Sequence, residues 1–153
     1  MNKEESIIFA TKYLEDMLSF FGVNLAVKSS SDDDVIQLAV PSSELNACLI
    51  GRDAETLRSL QHLVSMALFN KSAALVRVNV DVADYKKQRE LKVAGRAENW
   101  IKQVRDTGKS LILDLSPADR RVVHKMAEDY SDVTTRSEGE GRERKLIIEK
   151  ISN

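Results

Sequence analysis

The chain has little of what builds covalent or metal-held structure. Its 153 residues include one cysteine, Cys48, and two histidines, His62 and His124. A single thiol excludes an intramolecular disulfide, and one thiol with two imidazoles falls short of a zinc-finger ligand set. No metal or other cofactor is expected. Aromatic residues are scarce, with four Phe, three Tyr and one Trp, which leaves few platforms for binding built on stacked bases. No apolar run approaches the roughly 20 residues a membrane span needs. The opening stretch, MNKEESIIFA, carries acids where a secretory signal has its basic region, so the expected address is the cytoplasm. Neither sign of charge dominates: 23 basic and 24 acidic side chains leave a net −1, which excludes a histone-like polycation.

What is present describes a soluble globular protein, 42% apolar and 31% charged. The charge is unevenly spread. Residues 1–83 carry 7 basic and 11 acidic side chains, a net −4, whereas residues 84–153 carry 16 and 13, a net +3. A basic second half on an acidic first half points weakly to an anionic partner.

Apolar periodicity gives the elements. Ile7, Ala10, Tyr13, Leu14, Met17, Leu18 and Phe21 fall on one helical face, with Asn2 and Glu5 spaced as a capping box and Gly22 placed to end the helix. The period then changes to two. Val23, Leu25 and Val27 predict a strand, Ile36, Leu38 and Val40 a second, and Ser29 to Asp34 the loop between them. The three aspartates of that loop are expected in a solvated turn, not a metal site. A short helix through Leu45 and Ile50 precedes Gly51-Arg52-Asp53-Ala54. The next helix puts Leu57, Leu60, Leu63, Val64, Ala67 and Leu68 inward. Val76, Val78, Val80 and Val82 predict a strand. The first unit is α-β-β-α-α-β and closes near residue 83.

Asp84 is placed to cap a long helix to about Asp106, with Leu91, Ala94, Ala97, Ile101 and Val104 inward and Gly108 as its terminator. A strand follows over Leu111–Leu115. Ser116-Pro117 then sets an N-cap and a first-turn proline for a helix holding Arg120, Arg121, Val122, Val123, His124 and Ala127. Val133–Ser137 and Lys145–Ile151 predict two strands around Glu138-Gly139-Glu140-Gly141. The second unit is α-β-α-β-β.

In the first unit, the turn at Gly51-Arg52-Asp53-Ala54 leaves free N–H groups at the start of the following helix, where phosphate is attracted. In the context α-β-β-[α-GRDA-α]-β this resembles a KH domain of bacterial topology, whose GXXG loop clamps single-stranded nucleic acid. Ala54 stands where that pattern has its second glycine. Its methyl obstructs close approach, Asp53 and Glu55 add negative charge, and Arg52 is the loop's one cation. Asp53 can instead cap the second helix. Nucleic-acid contact by Gly51, Arg52 and Asp53 and a purely structural or pairing role both remain open.

In the second unit, Arg120 and His124 stand four apart on one helix face, a guanidinium fork for phosphate beside an imidazole that can donate to phosphate or stack on a base. Thr135-Arg136-Ser137-Glu138-Gly139-Glu140-Gly141-Arg142-Glu143-Arg144 follows. Arg-x-x-x-His with Thr-x-Ser-x-Gly-x-Gly-x-x-Arg resembles the RxxxH (R-three-H) domain, a module that binds single-stranded nucleic acid. Asp81 to Arg89, including Tyr85, is similar to the joint between a KH unit and an RxxxH unit in the bacterial Jag (SpoIIIJ-associated) family, and the likeness covers nearly the whole chain. It implies an α+β fold of two small α/β-layer domains, KH over residues 1–83 and RxxxH over 84–153. Jag proteins usually carry a further N-terminal domain and a charged linker; here the sequence begins at the KH helix, either as a shorter member or as a trimmed one, and regulation through that domain is not carried over.

The resemblance places Arg120 and His124 on the binding surface, has Ser137, Gly139 and Gly141 shape the adjacent turn, and puts Arg144 on the strand facing the helix. Arg121, Lys125, Arg142 and Lys145 join them by charge proximity. The implied partner is single-stranded RNA, with single-stranded DNA as an alternative, and the implied role lies in bacterial cell elongation, division or envelope control. The resemblance also implies pairing through the KH unit, as a homodimer or with a KH-only protein, so a pairing scaffold with little RNA affinity is the rival reading. An enzyme is not expected. Cys48, His62 and His124 fall in different elements with no acid motif between them. Cys48 reads as a small buried hydrophobe, His62 as a packed or edge residue, and Trp100 as packing between the units.

Overall fold

The computed structural model describes residues 1–152; Asn153, the last residue of the expected second unit, lies outside them. The chain forms two compact units, Met1–Lys86 and Lys87–Asn153.

The first unit runs α1 (Lys3–Ser19), β1 (Lys28–Asp32), β2 (Val35–Val40), α2 (Asn46–Ile50), a single 3-10 turn (Arg52–Ala54), α3 (Glu55–Asn70) and β3 (Arg77–Val82). The capping box forms as expected: Asn2 accepts from the Glu5 N–H, and Glu5 accepts from the Asn2 N–H. The sheet order is β1-β2-β3, with β1 antiparallel and β3 parallel to β2. Helices α1 and α3 pack together and against the sheet. Their Ala10, Leu14, Leu18, Leu57, Leu60, Val64 and Leu68 meet Ile36, Leu38, Val40, Val78, Val80 and Val82 in one core.

The hairpin departs from the expectation. The strand is Lys28–Asp32, not Val23–Val27, and the turn is only Asp33-Asp34, both with positive φ (44° and 64°). Two consecutive left-handed residues make a primed two-residue turn whose twist suits a hairpin, and aspartate tolerates that conformation. Pairing therefore continues through the serines. At the sheet edge, with every residue exposed, backbone hydrogen bonds outweigh side-chain polarity. In α3, Leu63 turns outward and is 48% exposed.

The second unit runs α4 (Tyr85–Thr107), β4 (Leu111–Leu113), α5 (Pro117–Ala127), β5 (Val133–Glu138), a 3-10 turn (Gly141–Glu143) and β6 (Lys145–Lys150). Its first two residues, Tyr85 and Lys86, fall on the other side of the seam. The sheet order is β4-β6-β5, antiparallel throughout. Its core joins Val93, Ala97, Ile101 and Val104 of α4 to Val123, Ala127, Val133, Leu146 and Ile148. Val93, not Leu91, holds the inward position; Leu91 is 64% exposed. Asp84 does not cap α4. It has φ 56°, and Asp81 accepts the Lys86 N–H instead. Gly108, φ 71°, ends the helix by donating to Val104 O, as the sequence implies. Trp100 packs against this unit's own core, with the Arg96 guanidinium 4.9 Å from its ring centroid. Among the described residues no helix is long and apolar enough to cross a membrane.

Candidate nucleic-acid interface

Helix α5 starts where Ser116 accepts the Asp119 N–H and Pro117 takes the first turn. Its buried stripe, Val123 and Ala127, fixes the helix rotation, and Arg120 and His124 come half-exposed beside β5 and the 139–144 turn. The Arg120 guanidinium donates from Nη1 to Leu115 O (2.9 Å) and Arg144 O (3.3 Å). Arg144 in turn donates to Gly139 O at 3.1 Å. Both guanidinium groups are thus held by neutral carbonyls, and among the described residues neither pairs with a carboxylate.

His124 sits differently from a solvent-facing donor. Its Nδ1 lies 2.6 Å from Thr135 Oγ1 and its Nε2 3.0 Å from Ser137 Oγ. Burial, then the charges of Arg120 and Arg144, hold the ring below the ordinary imidazole value, with Glu128 acting the other way. A neutral ring at neutral pH adds no charge to this surface. The arginine thus takes carbonyls and the histidine takes hydroxyls.

The glycines suit their turn. Gly139 has φ 92°, and a Cβ there would stand 3.1 Å from Glu143 O; Gly141 has φ 58°. Arg144 falls at the end of the 3-10 turn, one residue before β6, and not on the strand. Arg121, Lys125 and Arg142 are exposed; Arg121 donates to Pro117 O of its own helix. Lys145 is engaged by Asp114 at 3.0 Å, so its charge is largely matched within the chain. Glu140 and Glu143 are exposed in the same turn and temper its positive potential.

Two contacts escaped the sequence reading. Thr135 belongs to the motif, but its bond to His124 was not assigned, although alternation from Val133 puts Thr135 and Ser137 on the same face of β5. The pair Arg89–Asp119 carries no local signal, since its partners are far apart in sequence.

The Gly51-Arg52-Asp53-Ala54 segment lies in the first unit. Asp53 does not cap α3: Asp53 (φ 53°) and Ala54 (φ 59°) are both left-handed, Ala54 takes the N-cap position, and no side chain caps the helix. Arg58 donates to the Asp53 carbonyl at 2.6 Å. Gly51, φ 75°, is forced, because a Cβ would stand 2.3 Å from Thr56 Oγ1. Arg52 is exposed, as are His62 and Cys48; burial of Cys48 was expected, but α2 turns it outward and buries Leu49.

Residues 93–150 match the RxxxH (R-three-H) domain family. Similar proteins include "RNA-binding protein KhpB" of Clostridium symbiosum, 29% identical over 142 residues, which cover 91% of this chain and 64% of that protein. The protein of that name from Bacillus subtilis (strain 168) is 32% identical over 110 residues, 70% of this chain and 53% of the relative. That of Lactiplantibacillus plantarum is 33% identical over 101 residues, 65% and 31% respectively. The chain therefore spans less than two thirds of the length of each. Fold and match together define a mixed α+β protein with an RxxxH domain behind an α-β-β-α-α-β unit. Over most of its length it is similar to proteins of the Jag/KhpB type.

Proposed function

We propose that this chain is a regulatory RNA-binding protein of the bacterial cytoplasm, without catalytic activity, that holds single-stranded RNA mainly by its phosphates at the corner of α5, β5 and the 139–144 turn. The observation that carries this reading is the pair Arg120 and Arg144. Both are fixed by carbonyls, which organises the guanidinium forks without spending their charge, and Arg121, Lys125 and Arg142 stand exposed on the same two segments. Phosphate favours such forks over a hydrated ammonium. The names of the similar proteins support RNA as the ligand. On this reading the first unit is a KH-like domain, divided from the second near residue 83, whose Gly51–Ala54 loop contributes little, since Ala54 puts a methyl where close approach of a backbone needs none.

Titration of a fluorescent single-stranded RNA at several salt concentrations tests this. Each phosphate neutralised adds about −0.7 to the slope of log K against log salt, so a flat response rejects phosphate-led binding. The same titration with single-stranded DNA measures whether the 2′-hydroxyl matters.

A second reading rests on α3. Leu63, Met66 and Phe69, spaced by three, are 48%, 43% and 66% exposed, an unusual apolar face for a monomer. It favours pairing through the first unit, with a second copy or a KH-only protein. Light scattering separates the readings: a stable dimer with no RNA affinity supports the scaffold.

A further inference from the structure

The ring of His124 lies between two hydroxyls, one at each nitrogen. A neutral imidazole has one N–H and one bare nitrogen. One hydroxyl must then donate to the ring while the other accepts from it. A doubly protonated ring donates from both nitrogens, both hydroxyls accept, and both keep their O–H hydrogens for other acceptors. Ser137 is the nearer of the two to the 139–144 turn along the chain. It stands two residues before Gly139, whose carbonyl anchors Arg144, whereas Thr135 lies nearer the buried Val133.

We propose that the Ser137 hydroxyl is a phosphate-contacting group of this surface, that His124 is the positioning residue behind it, and that binding of single-stranded RNA takes up a proton on the His124 ring. The bound state then runs as one chain of donors. Nδ1–H donates to Thr135 Oγ1, Nε2–H donates to Ser137 Oγ, and the Ser137 O–H donates to a phosphate oxygen. The proton comes from solvent and no covalent bond changes.

The surroundings explain why uptake follows binding. On α5, Arg120 lies one turn before the ring and Glu128 one turn after. From the 139–144 turn comes Arg144, and β5 presents only the two hydroxyls, Arg136 being occupied by Glu138 and Glu149. In the free protein burial opposes a third positive charge, and the two guanidinium charges add to that opposition. A phosphate at this corner offsets Arg120 and Arg144 and itself attracts the imidazolium. The ring therefore binds its proton more tightly in the complex, and by linkage a falling pH tightens RNA binding.

The inference rests on the RNA-binding reading above, and one experiment separates the two. A fluorescein-labelled oligouridylate is titrated into the whole chain from about pH 5 to about pH 8, the range where histidine changes charge. The ring signals of His124 are followed by NMR with and without the RNA, with exposed His62 as internal reference. Affinity should rise as pH falls, His124→Gln should flatten that rise while leaving the fold intact, and the His124 titration should move to higher pH on binding. Ser137→Ala should weaken binding roughly tenfold at low pH, the worth of one charge-assisted hydrogen bond. Binding that is independent of pH, or unchanged in Ser137→Ala, overturns this proposal and leaves the RNA-binding reading standing. No binding at any pH removes both.

Discussion

Arg89 of α4 donates from Nη2 to Oδ2 of Asp119 on α5 at 2.8 Å, and the Asp119 side chain is only 7% exposed. Asp119 immediately precedes Arg120, so this pair ties the first turn of α5 to the long helix and sets where the guanidinium of Arg120 begins. A buried carboxylate that loses its cation keeps its desolvation cost. Arg89→Ala is expected to destabilise the second unit by about 1–3 kcal/mol, kept at the lower end of buried-pair values because Arg89 is half exposed. Urea denaturation checks this; a variant as stable as the parent would show that solvent replaces the arginine.

Arg120 and Arg144 supply charge through a shared geometry, so their loss should appear in the salt dependence of RNA binding. The double variant Arg120→Ala/Arg144→Ala should lower the slope of log K against log salt by roughly 1.4, two single-strand phosphates at about 0.7 each. Arg120→Lys should recover only part of the affinity, because an ammonium held at the Leu115 and Arg144 carbonyls has no second nitrogen to present to phosphate as a fork. An unchanged slope in the double variant would move the phosphate site elsewhere.

Stability should carry the signature of His124. Its pKa is lowered in the folded chain, first by burial and then by Arg120 and Arg144. Below the ordinary imidazole value the unfolded chain binds more protons than the folded one. Stability is therefore greatest above about pH 6.5 and is lost as pH falls from there through the depressed folded value. Thermal unfolding of the free protein from about pH 7 to about pH 5 should show a falling midpoint that His124→Gln removes. RNA binding should show the opposite trend, since the complex welcomes the proton that the free fold resists.

The Gly51–Ala54 segment predicts opposite outcomes for two neighbouring substitutions. Ala54 holds φ 59°, a conformation that costs an L-residue roughly 1–2 kcal/mol. Ala54→Gly should raise stability by up to about 1 kcal/mol once the greater freedom of glycine in the unfolded chain is subtracted. Gly51→Ala should destabilise, because its Cβ would meet the Thr56 side chain at 2.3 Å. Calorimetry on both variants checks the signs, and a stabilised Gly51→Ala would contradict the loop geometry.

Much of the fold was legible. The α1 capping box, the Gly108 terminator, the Ser116-Pro117 start and the order of elements follow from local rules that act over a few residues. The errors share a cause. Leu63 and Leu91 carry the right hydrophobicity at positions the helix rotation turns outward, and only packing against a particular sheet decides that rotation. The Ser29–Asp32 strand defeated side-chain reasoning because an edge strand asks for backbone pairing and no burial.

The binding corner divides the same way. By itself the sequence determined which groups would be present: an arginine and a histidine one helical turn apart, hydroxyls alternating on a strand, glycines where a turn needs positive φ. Covalent order and helical pitch suffice for that. Tertiary structure alone decided what each group does, fastening both arginines to carbonyls and closing two hydroxyls around the imidazole. Those partners come from segments 5 to 24 residues away, and whether a histidine is a cation or a neutral relay depends on the charges and burial that such packing brings to it.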